Sequence, residues 1–402
     1  MHLTKNTVIQ RSPNLNLELR NNQLFVDIGG RESACGYHAF AVLDIFSVPR
    51  TLEEGLNRLA ERLTGKWDWT NLTAEVRRLI AKGVLVPDLS IHKTLHSHNA
   101  RFDAAEVHIR MLNDEQRTRA YSDALNAVVT EHSVVVDVGT GTGILAALAA
   151  RAGARKVYAI ERSSNLAKFA SDFFEKNGLS EKITVLEGVA SQVEIPEKAD
   201  VMVTETIGND PLDEGLMDIC FDAKKRFLKS NGILVPSSIN VMALPVEVPS
   251  ETIERLRFTE EGCKSWQTLY QFDFSVYQEA ANSVDSFSYL SGHSLRAWPR
   301  LSSPILLRTL NLGRDEPRNI DCRGSFKVES RGRLNGIFVY FEAELAKGIS
   351  LSSHPDEVKK TNSWANLLWL PSKGRVVHPG QKIEWHYCFD RLGRKSNVEC
   401  FV

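Results

Sequence analysis

Residues 133–161 read SVVVDVGTGTGILAALAARAGARKVYAIE. Ser133–Val138 is an apolar run of strand type, Ile144–Ala152 has the composition and spacing of a helix, and Gly139, Gly141 and Gly143 fall in the turn between them. Glycine in such a turn lets the backbone bend sharply and come close to a ligand at the carboxyl end of a strand. Glu161 closes the following strand, 20 residues beyond Gly141, where a carboxylate can accept hydrogen bonds from ribose hydroxyls. The pattern predicts a nucleoside site on a Rossmann-like sheet. Its glycine spacing is G-x-G-x-G, with Ile144 where the dinucleotide fingerprint G-x-G-x-x-G carries its last glycine. A pyrophosphate cradle for a nicotinamide or flavin is therefore not spelled out, which leaves S-adenosylmethionine or no ligand at all.

Outward from this core the texture of the chain changes twice. Residues 106–245 alternate strand and helix patterns, predicting an open parallel α/β sheet. From 246 onward short β-rich runs such as GIFVYFEAEL (336–345), ANLLWLP (365–371) and KIEWHYCFD (382–390) predict a barrel or sandwich. Ahead of both, NLNLELRNNQLFVDIGG (14–30) alternates apolar and polar residues on either side of Asn21-Asn22, the pattern of a hairpin. Helical stretches follow at 36–48, 51–63 and 71–83, the second opened by Thr51 and Glu54 in capping-box spacing, and Val84-Leu85-Val86 ends the unit at Pro87. The expected division is a small winged-helix-like α+β domain over 1–90, a linker over 91–101, an α/β domain over 102–245 and a β domain over 246–402. His92, His96 and His98 sit in the linker with no cysteine or acid nearby, so solvation rather than metal binding is expected of them.

The bulk numbers exclude several classes. A chain of 402 residues is long for one core. With 43% apolar residues, 25% charged residues and a net charge of -1, it has no basic field to draw in nucleic acid. Residues 1–90 carry 11 Lys/Arg against 10 Asp/Glu, which argues against a DNA reader there too. No run of about 18 apolar residues suggests a membrane span, and MHLTKNTVIQRSPN lacks the apolar core of a signal peptide. Cys35, Cys220, Cys263, Cys322, Cys388 and Cys400 are scattered without a C-x-x-C pair, so reduced thiols, no metal and a cytoplasmic location are expected.

A second constellation is TETIGNDPLDEGLMD (204–218), directly after the apolar run 199–203. Glu205 and Glu214 stand nine residues apart on what reads as a hairpin-like loop, with Gly208 and Pro211 between them. Two acids there could bind a cation, trade a proton, or solvate a turn.

From about residue 102 to its C-terminus the chain resembles the protein arginine methyltransferases. EVHIRMLNDEQRTRAY (106–121) matches that family's cofactor-covering segment, with His108, Met111, Leu112, Asp114, Arg117 and Tyr121 in register. GIFVYFEAEL, LSSHP (351–355) and NSW (362–364) match the recurring segments of its barrel in order, and residues 266–290 stand where the family carries a dimerisation arm, here about 272–300. The resemblance implies a Rossmann-like class I methyltransferase domain followed by a β-barrel substrate domain, a homodimer, and S-adenosylmethionine as methyl donor with S-adenosylhomocysteine as product. It implies that Arg117 pairs with the methionine carboxylate of the cofactor, a task suited to a bidentate guanidinium. Asp137, Gly139, Gly141 and Gly143 would meet the methionine part and Glu161 the ribose, while Ser191 stands where an acid usually reads adenine. Glu205 and Glu214 match the pair that grips the substrate guanidinium, with Met111 and Asp114 beside them. That cation has a pKa above about 12 and arrives with its lone pairs delocalised. Two carboxylates on its N–H fork draw charge toward the nitrogens they touch and leave the attacking nitrogen a better nucleophile.

The chain departs from the family in three places. The hairpin, commonly E-W-M-G-Y, reads Glu205-Thr206-Ile207-Gly208-Asn209, so Asn209 replaces an aromatic wall of the substrate pocket. The triplet Thr-His-Trp reads Asn362-Ser363-Trp364, with Ser363 in place of a histidine that pairs with the acid aligned to Asp114. Phe102 replaces a tyrosine. Methyl transfer stays the expected reaction, and the acceptor opens. Residues 1–90 resemble the PqqD-like leader-binding domains of ribosomal peptide pathways, which makes a guanidino or amino nitrogen of a ribosomally made peptide the first expectation, its leader held by strand addition. Arginine in ordinary proteins, free arginine or another small cationic amine, and a non-catalytic cofactor-binding module are the alternatives.

Overall fold

The computed structural model describes residues 4–12, 15–20, 23–28, 31–60, 63, 66–87, 105–281 and 284–401. The linker histidines His92, His96 and His98, the Asn21-Asn22 turn and Phe102 lie outside these. The chain divides into two compact units, Met1–Ala105 and Glu106–Val402.

In the first unit, Leu15–Arg20 pairs antiparallel with Gln23–Ile28, as the alternation around residues 21–22 requires, and Arg31–Ala34 adds a third strand on the far side. Leu24 and Val26 point into the core, whereas Leu17 and Leu19 are exposed on the edge strand. Helices follow at Ala39–Ile45, Leu52–Ala60 and Lys66–Ala81. The Thr51 hydroxyl accepts the Glu54 N–H at 3.1 Å, as the capping spacing predicts. The third helix starts ahead of Asn71, with Asp68 in its first turn, where an acid suits the helix dipole. A second small sheet was not expected: Val8–Arg11 runs between Arg50–Thr51 and Leu85–Pro87. Its strands are too short to show alternation. Ile9, Val42, Phe46, Leu59, Leu72, Val76 and Leu79 form the core between these elements.

The second unit opens with helices Ala105–Asn113 and Glu115–Val128 and then builds a five-stranded parallel sheet. Across it the strands run Leu228–Val235, Ala199–Thr204, Val134–Val138, Lys156–Glu161 and Ile183–Glu187. Val134–Val138 is buried along its whole length, which is why it reads as a continuous apolar run rather than an alternating one. The order reverses between Val134–Val138 and Ala199–Thr204, so the loops leaving their carboxyl ends diverge around a crevice. The glycine turn and the Glu205 loop are those two loops.

The remainder is antiparallel. Ser238–Val246 lies between Gly336–Ala346 and Ile305–Asn311 in a six-stranded sheet that Ala365–Leu370 and Ser286–Ser291 extend. A three-stranded sheet joins Ile320–Lys327, Lys382–Asp390 and Lys395–Phe401. Because Ser238–Val246 belongs to the antiparallel part, the change of architecture falls ahead of the boundary expected at 245. Helices Glu260–Tyr270 and Ser275–Ala281 precede Ser286–Ser291, and their Trp266 and Tyr277 rings cluster with Phe258, ahead of the first helix, and Phe274, between the two. Among the described residues no helix is long and apolar enough to cross a membrane. All six cysteines are free thiols.

Candidate functional site

The glycine turn is built for close approach. Gly139, Gly141 and Gly143 have φ of 75°, 54° and 84°, in the left-handed region that disfavours side chains. Gly143 also opens the helix Ile144–Arg151, and a Cβ there would lie 2.6 Å from the Phe174 ring. The His108 ring covers Gly141, 3.3 Å from where a Cβ would stand.

Two buried acids flank the turn. Glu161 accepts the Gly141 N–H on one oxygen and the Ser163 N–H on the other, both at 2.9 Å. A carboxylate oxygen has room for a further donor, so these bonds orient Glu161 without exhausting it. Asp137, fully buried, accepts the Thr140 hydroxyl at 2.6 Å on one oxygen; its other oxygen, Oδ1, has no partner of good hydrogen-bond geometry, the Ala146 N–H only coming near enough to favour the charged form. Burial pushes the Asp137 carboxyl up to about 7, with the Thr140 hydrogen bond opposing. A buried carboxyl with so few donors is costly to ionise, and an ammonium brought to the glycine turn would give it a charged partner. The donor set fits an amino-acid-bearing nucleoside such as S-adenosylmethionine: a cradle without side chains, an acid for an ammonium and an acid for hydroxyls. Ser191 lies exposed in the turn beyond Ile183–Glu187.

The acid loop meets this turn from the neighbouring strand. Asp114 caps the helix Glu115–Val128 by accepting the Arg117 N–H at 3.1 Å. Arg117 is buried; its Nη1 donates to the Met111 carbonyl at 2.8 Å and its Nε donates to Glu205 Oε2 at 2.9 Å. The residue expected to hold the cofactor carboxylate and the residue expected to hold the acceptor are thus partners in one buried ion pair. Glu205 Oε1 also accepts the Ile207 N–H at 3.3 Å. Tyr121 donates to the Thr204 carbonyl at 3.0 Å and ties the helix to the strand that ends at Glu205. Met111 is half-buried and enters through its carbonyl.

The antiparallel part holds the loop from the other side. The Ser363 N–H and hydroxyl both donate to Asp114 Oδ2, at 2.8 and 3.0 Å. Position 363 therefore does pair with Asp114, through neutral donors in place of an imidazole. Trp364 donates its indole N–H to the Ile207 carbonyl at 2.8 Å and packs edge-on against Phe341. Asn209 Oδ1 accepts the Ala365 N–H at 2.8 Å. Asp210, buried, accepts the Ser396 N–H at 3.0 Å and the Ser396 hydroxyl at 2.8 Å. Burial raises Asp210 to about 6, and the Ser396 bonds oppose the rise.

The segment 205–215 is a series of turns, closed by Asp213 N–H to the Asp210 carbonyl and Gly215 N–H to the Leu212 carbonyl, and not a paired hairpin. Trp364 is buried and donates its indole N–H to the loop, and the exposed Asn209 accepts from Ala365 with its amide oxygen, so both fasten the loop. Thr140, Asp210 and Ser396 had no part in the sequence reading; Asp210 stands between two other acids in a polar stretch and looks like a solvated turn residue. Glu214 is half-buried in the last turn, ahead of Gly215 and the helix Leu216–Arg226.

With this geometry in hand, likeness to known proteins is informative. The family model for ribosomal protein L11 methyltransferase (PrmA) matches residues 116–242. The chain is 36% identical over 290 residues to protein arginine N-methyltransferase 1 of Schizosaccharomyces pombe, covering 69% of this chain and 79% of that protein. It is 31% identical over 307 residues to probable protein arginine N-methyltransferase 6 of Arabidopsis thaliana, covering 70% and 68%. Among solved structures, the Trypanosoma brucei PRMT1 enzyme–prozyme heterotetrameric complex with AdoHcy superposes with a TM-score of 0.64 at 20% identity, over 74% of this chain and 93% of that one. Arabidopsis thaliana protein arginine methyltransferase 10, in an open conformation, gives 0.59 at 22% identity, over 73% and 95%. The shared fold is a Rossmann-like methyltransferase domain followed by a β-barrel.

Proposed function

Since the chain belongs to the protein arginine N-methyltransferase family, we propose that it transfers methyl groups from S-adenosylmethionine to arginine side chains of proteins. The observation that supports this best is Glu205 itself. It is a carboxylate buried at the switch point of the sheet, held by Arg117 at 2.9 Å, one strand away from the glycine turn.

S-adenosylmethionine, when bound, supplies an electrophilic methyl on a positively charged sulfur. Arg117 and Asp137 would hold its carboxylate and ammonium, and Glu161 its ribose. Glu205 and Glu214 would take the N–H fork of the incoming guanidinium and localise its charge, so that the remaining nitrogen presents its lone pair. Asp114, held by Ser363 and capping the Arg117 helix, is a positioning residue. With no imidazole at 363, the proton lost on transfer would pass to Glu214, which is half-buried and reaches water.

Asp137 gives the reading a pH signature. Its folded value near 7 means that the free protein carries the neutral acid below that pH, whereas an ammonium requires the carboxylate. Cofactor affinity therefore falls as pH drops, by about tenfold between pH 8 and pH 6. Calorimetric titration checks this. Asp137→Asn is expected to bind weakly and without that slope; an unsloped wild type removes Asp137 from the ammonium site.

One observation favours a peptide acceptor as a second reading. Leu15–Arg20 is an edge strand with Leu17 and Leu19 42% and 60% exposed. Such an edge can accept a further strand from a leader peptide. The deciding experiment is intact-mass analysis after incubation with S-adenosylmethionine and, separately, an arginine-rich protein, a short precursor peptide encoded beside the gene, and free arginine. Gain of CH2 on the protein supports the first reading. Gain on the peptide alone, lost with Leu19→Lys, supports the second. Methylated free arginine overturns both, and cofactor binding with no product from any acceptor points to a non-catalytic module.

We also propose a homodimer through the arm at about 272–300. Phe272, Val276 and Tyr277 are 70%, 62% and 49% exposed there, an apolar face that a second copy would cover. Light scattering should give twice the chain mass for the wild type and a monomer for Phe272→Glu/Tyr277→Glu. A monomeric wild type discards the arm as an interface.

A further inference from the structure

We propose that Asp321, His386 and Cys388 form a binding site for a borderline-soft divalent cation, zinc foremost, on one face of the three-stranded antiparallel sheet. The pleat places them together. Asp321 on Ile320–Lys327 stands directly opposite Cys388 on Lys382–Asp390, and His386, two residues before Cys388, shares its face. His386 Nε2 lies 3.0 Å from Asp321 Oδ1 and 3.0 Å from Cys388 Sγ, and Sγ lies 3.9 Å from Asp321 Oδ2. One nitrogen, one sulfur and one oxygen thus sit within 4.8 Å of one another.

The same three residue types could form a nucleophile–base–acid relay, and the wiring argues against it. A relay uses one imidazole nitrogen for the nucleophile and the other for the acid. Here the thiol and the carboxylate both meet Nε2, so the donors converge on a common point instead of passing a proton along a line. Convergence is what a metal needs. Zinc bonds of about 2.3 Å to sulfur and about 2.0–2.1 Å to nitrogen and oxygen give tetrahedral edges of about 3.6 Å for S···N and about 3.3 Å for N···O. The observed N···O separation of 3.0 Å is short of this by about 0.3 Å and the S···N separation of 3.0 Å by about 0.6 Å, so the donors would move apart slightly to admit the ion.

Charge and surroundings fit as well. A thiolate and a carboxylate neutralise a divalent ion, so Arg323, opposite His386 in register, meets no net positive charge. On binding, the cation would displace the Cys388 thiol proton, as in other thiolate sites. Water is left for the fourth position. His-x-Cys within a strand carries both donors to one face, but the third ligand lies 65 residues away, so spacing alone cannot announce the site.

The test uses the full chain and bare metal ions, with no activity readout, so it stands apart from the methyl-transfer reading. Zn2+ is titrated against a chromophoric chelator, and Co2+ is followed by its visible and near-ultraviolet absorption. One equivalent of Zn2+ and a thiolate-to-cobalt charge-transfer band are expected. Cys388→Ser should lose the band, and both Cys388→Ser and His386→Gln should weaken Zn2+ binding by at least about tenfold, with unchanged circular dichroism showing that both variants fold. No stoichiometric uptake, a cobalt spectrum without the thiolate band, or an equivalent retained in both variants overturns the proposal.

Discussion

Glu205→Gln is expected to lower the methyl-transfer rate by roughly 10²–10³-fold, the range seen when one preorganised electrostatic contact to a reacting group is removed. The amide keeps the shape of the side chain and one acceptor oxygen, but it no longer draws charge along the guanidinium. The substitution also changes the other half of the site. Arg117 loses its buried anion, so an incoming cofactor carboxylate becomes its anionic partner. Cofactor affinity should therefore stay level or rise while turnover collapses. Single-turnover transfer of a labelled methyl and calorimetric cofactor titration separate the two quantities. An unchanged transfer rate at saturating cofactor, together with weakened cofactor affinity, would remove Glu205 from the acceptor side of the mechanism.

Arg117→Met should destabilise the larger unit by about 3–5 kcal/mol, the cost of leaving one member of a buried pair without its counter-charge. The Arg117 and Glu205 side chains are only 4% and 7% exposed, so water cannot take over either role. The double variant Arg117→Met/Glu205→Gln should regain most of that loss, because neither charge then remains buried alone. Denaturant midpoints for wild type, both single variants and the double variant complete the cycle. Losses that simply add would show that the two groups do not act as a pair.

What was legible in the sequence was local. The run Val134–Val138, the three glycines and Glu161 lie within one strand–turn–helix–strand unit, where burial and left-handed φ impose their own residue choices. The hairpin of the first unit was legible for the same reason, since its alternation spans neighbouring residues. What escaped depended on pairings distant in the chain. Val8–Arg11 is recognisable as a strand only beside Arg50–Thr51 and Leu85–Pro87. Asp210 looks like a turn acid until Ser396, 186 residues later, closes over it. Resemblance to a family placed Asn209, Ser363 and Trp364 near the acid loop, but it carried no information on which way each side chain turns. Ser363 does meet Asp114, whereas Trp364 and Asn209 serve the loop's backbone and its neighbour.

The fastening of that loop has a consequence for the order in which the chain matures on the ribosome. Every residue of the parallel sheet has been made once Val235 is added, yet the Ile207 carbonyl waits for Trp364, 157 residues further on than itself, and Asp210 waits for Ser396. At about 5–20 residues per second, the interval between Asp210 and its partner is about ten to forty seconds. Throughout it a nascent chain can hold Glu205 on Arg117 while the loop from Ile207 to Glu214 lacks its fastening, so the donor side of the molecule is ready well before the acceptor side is complete.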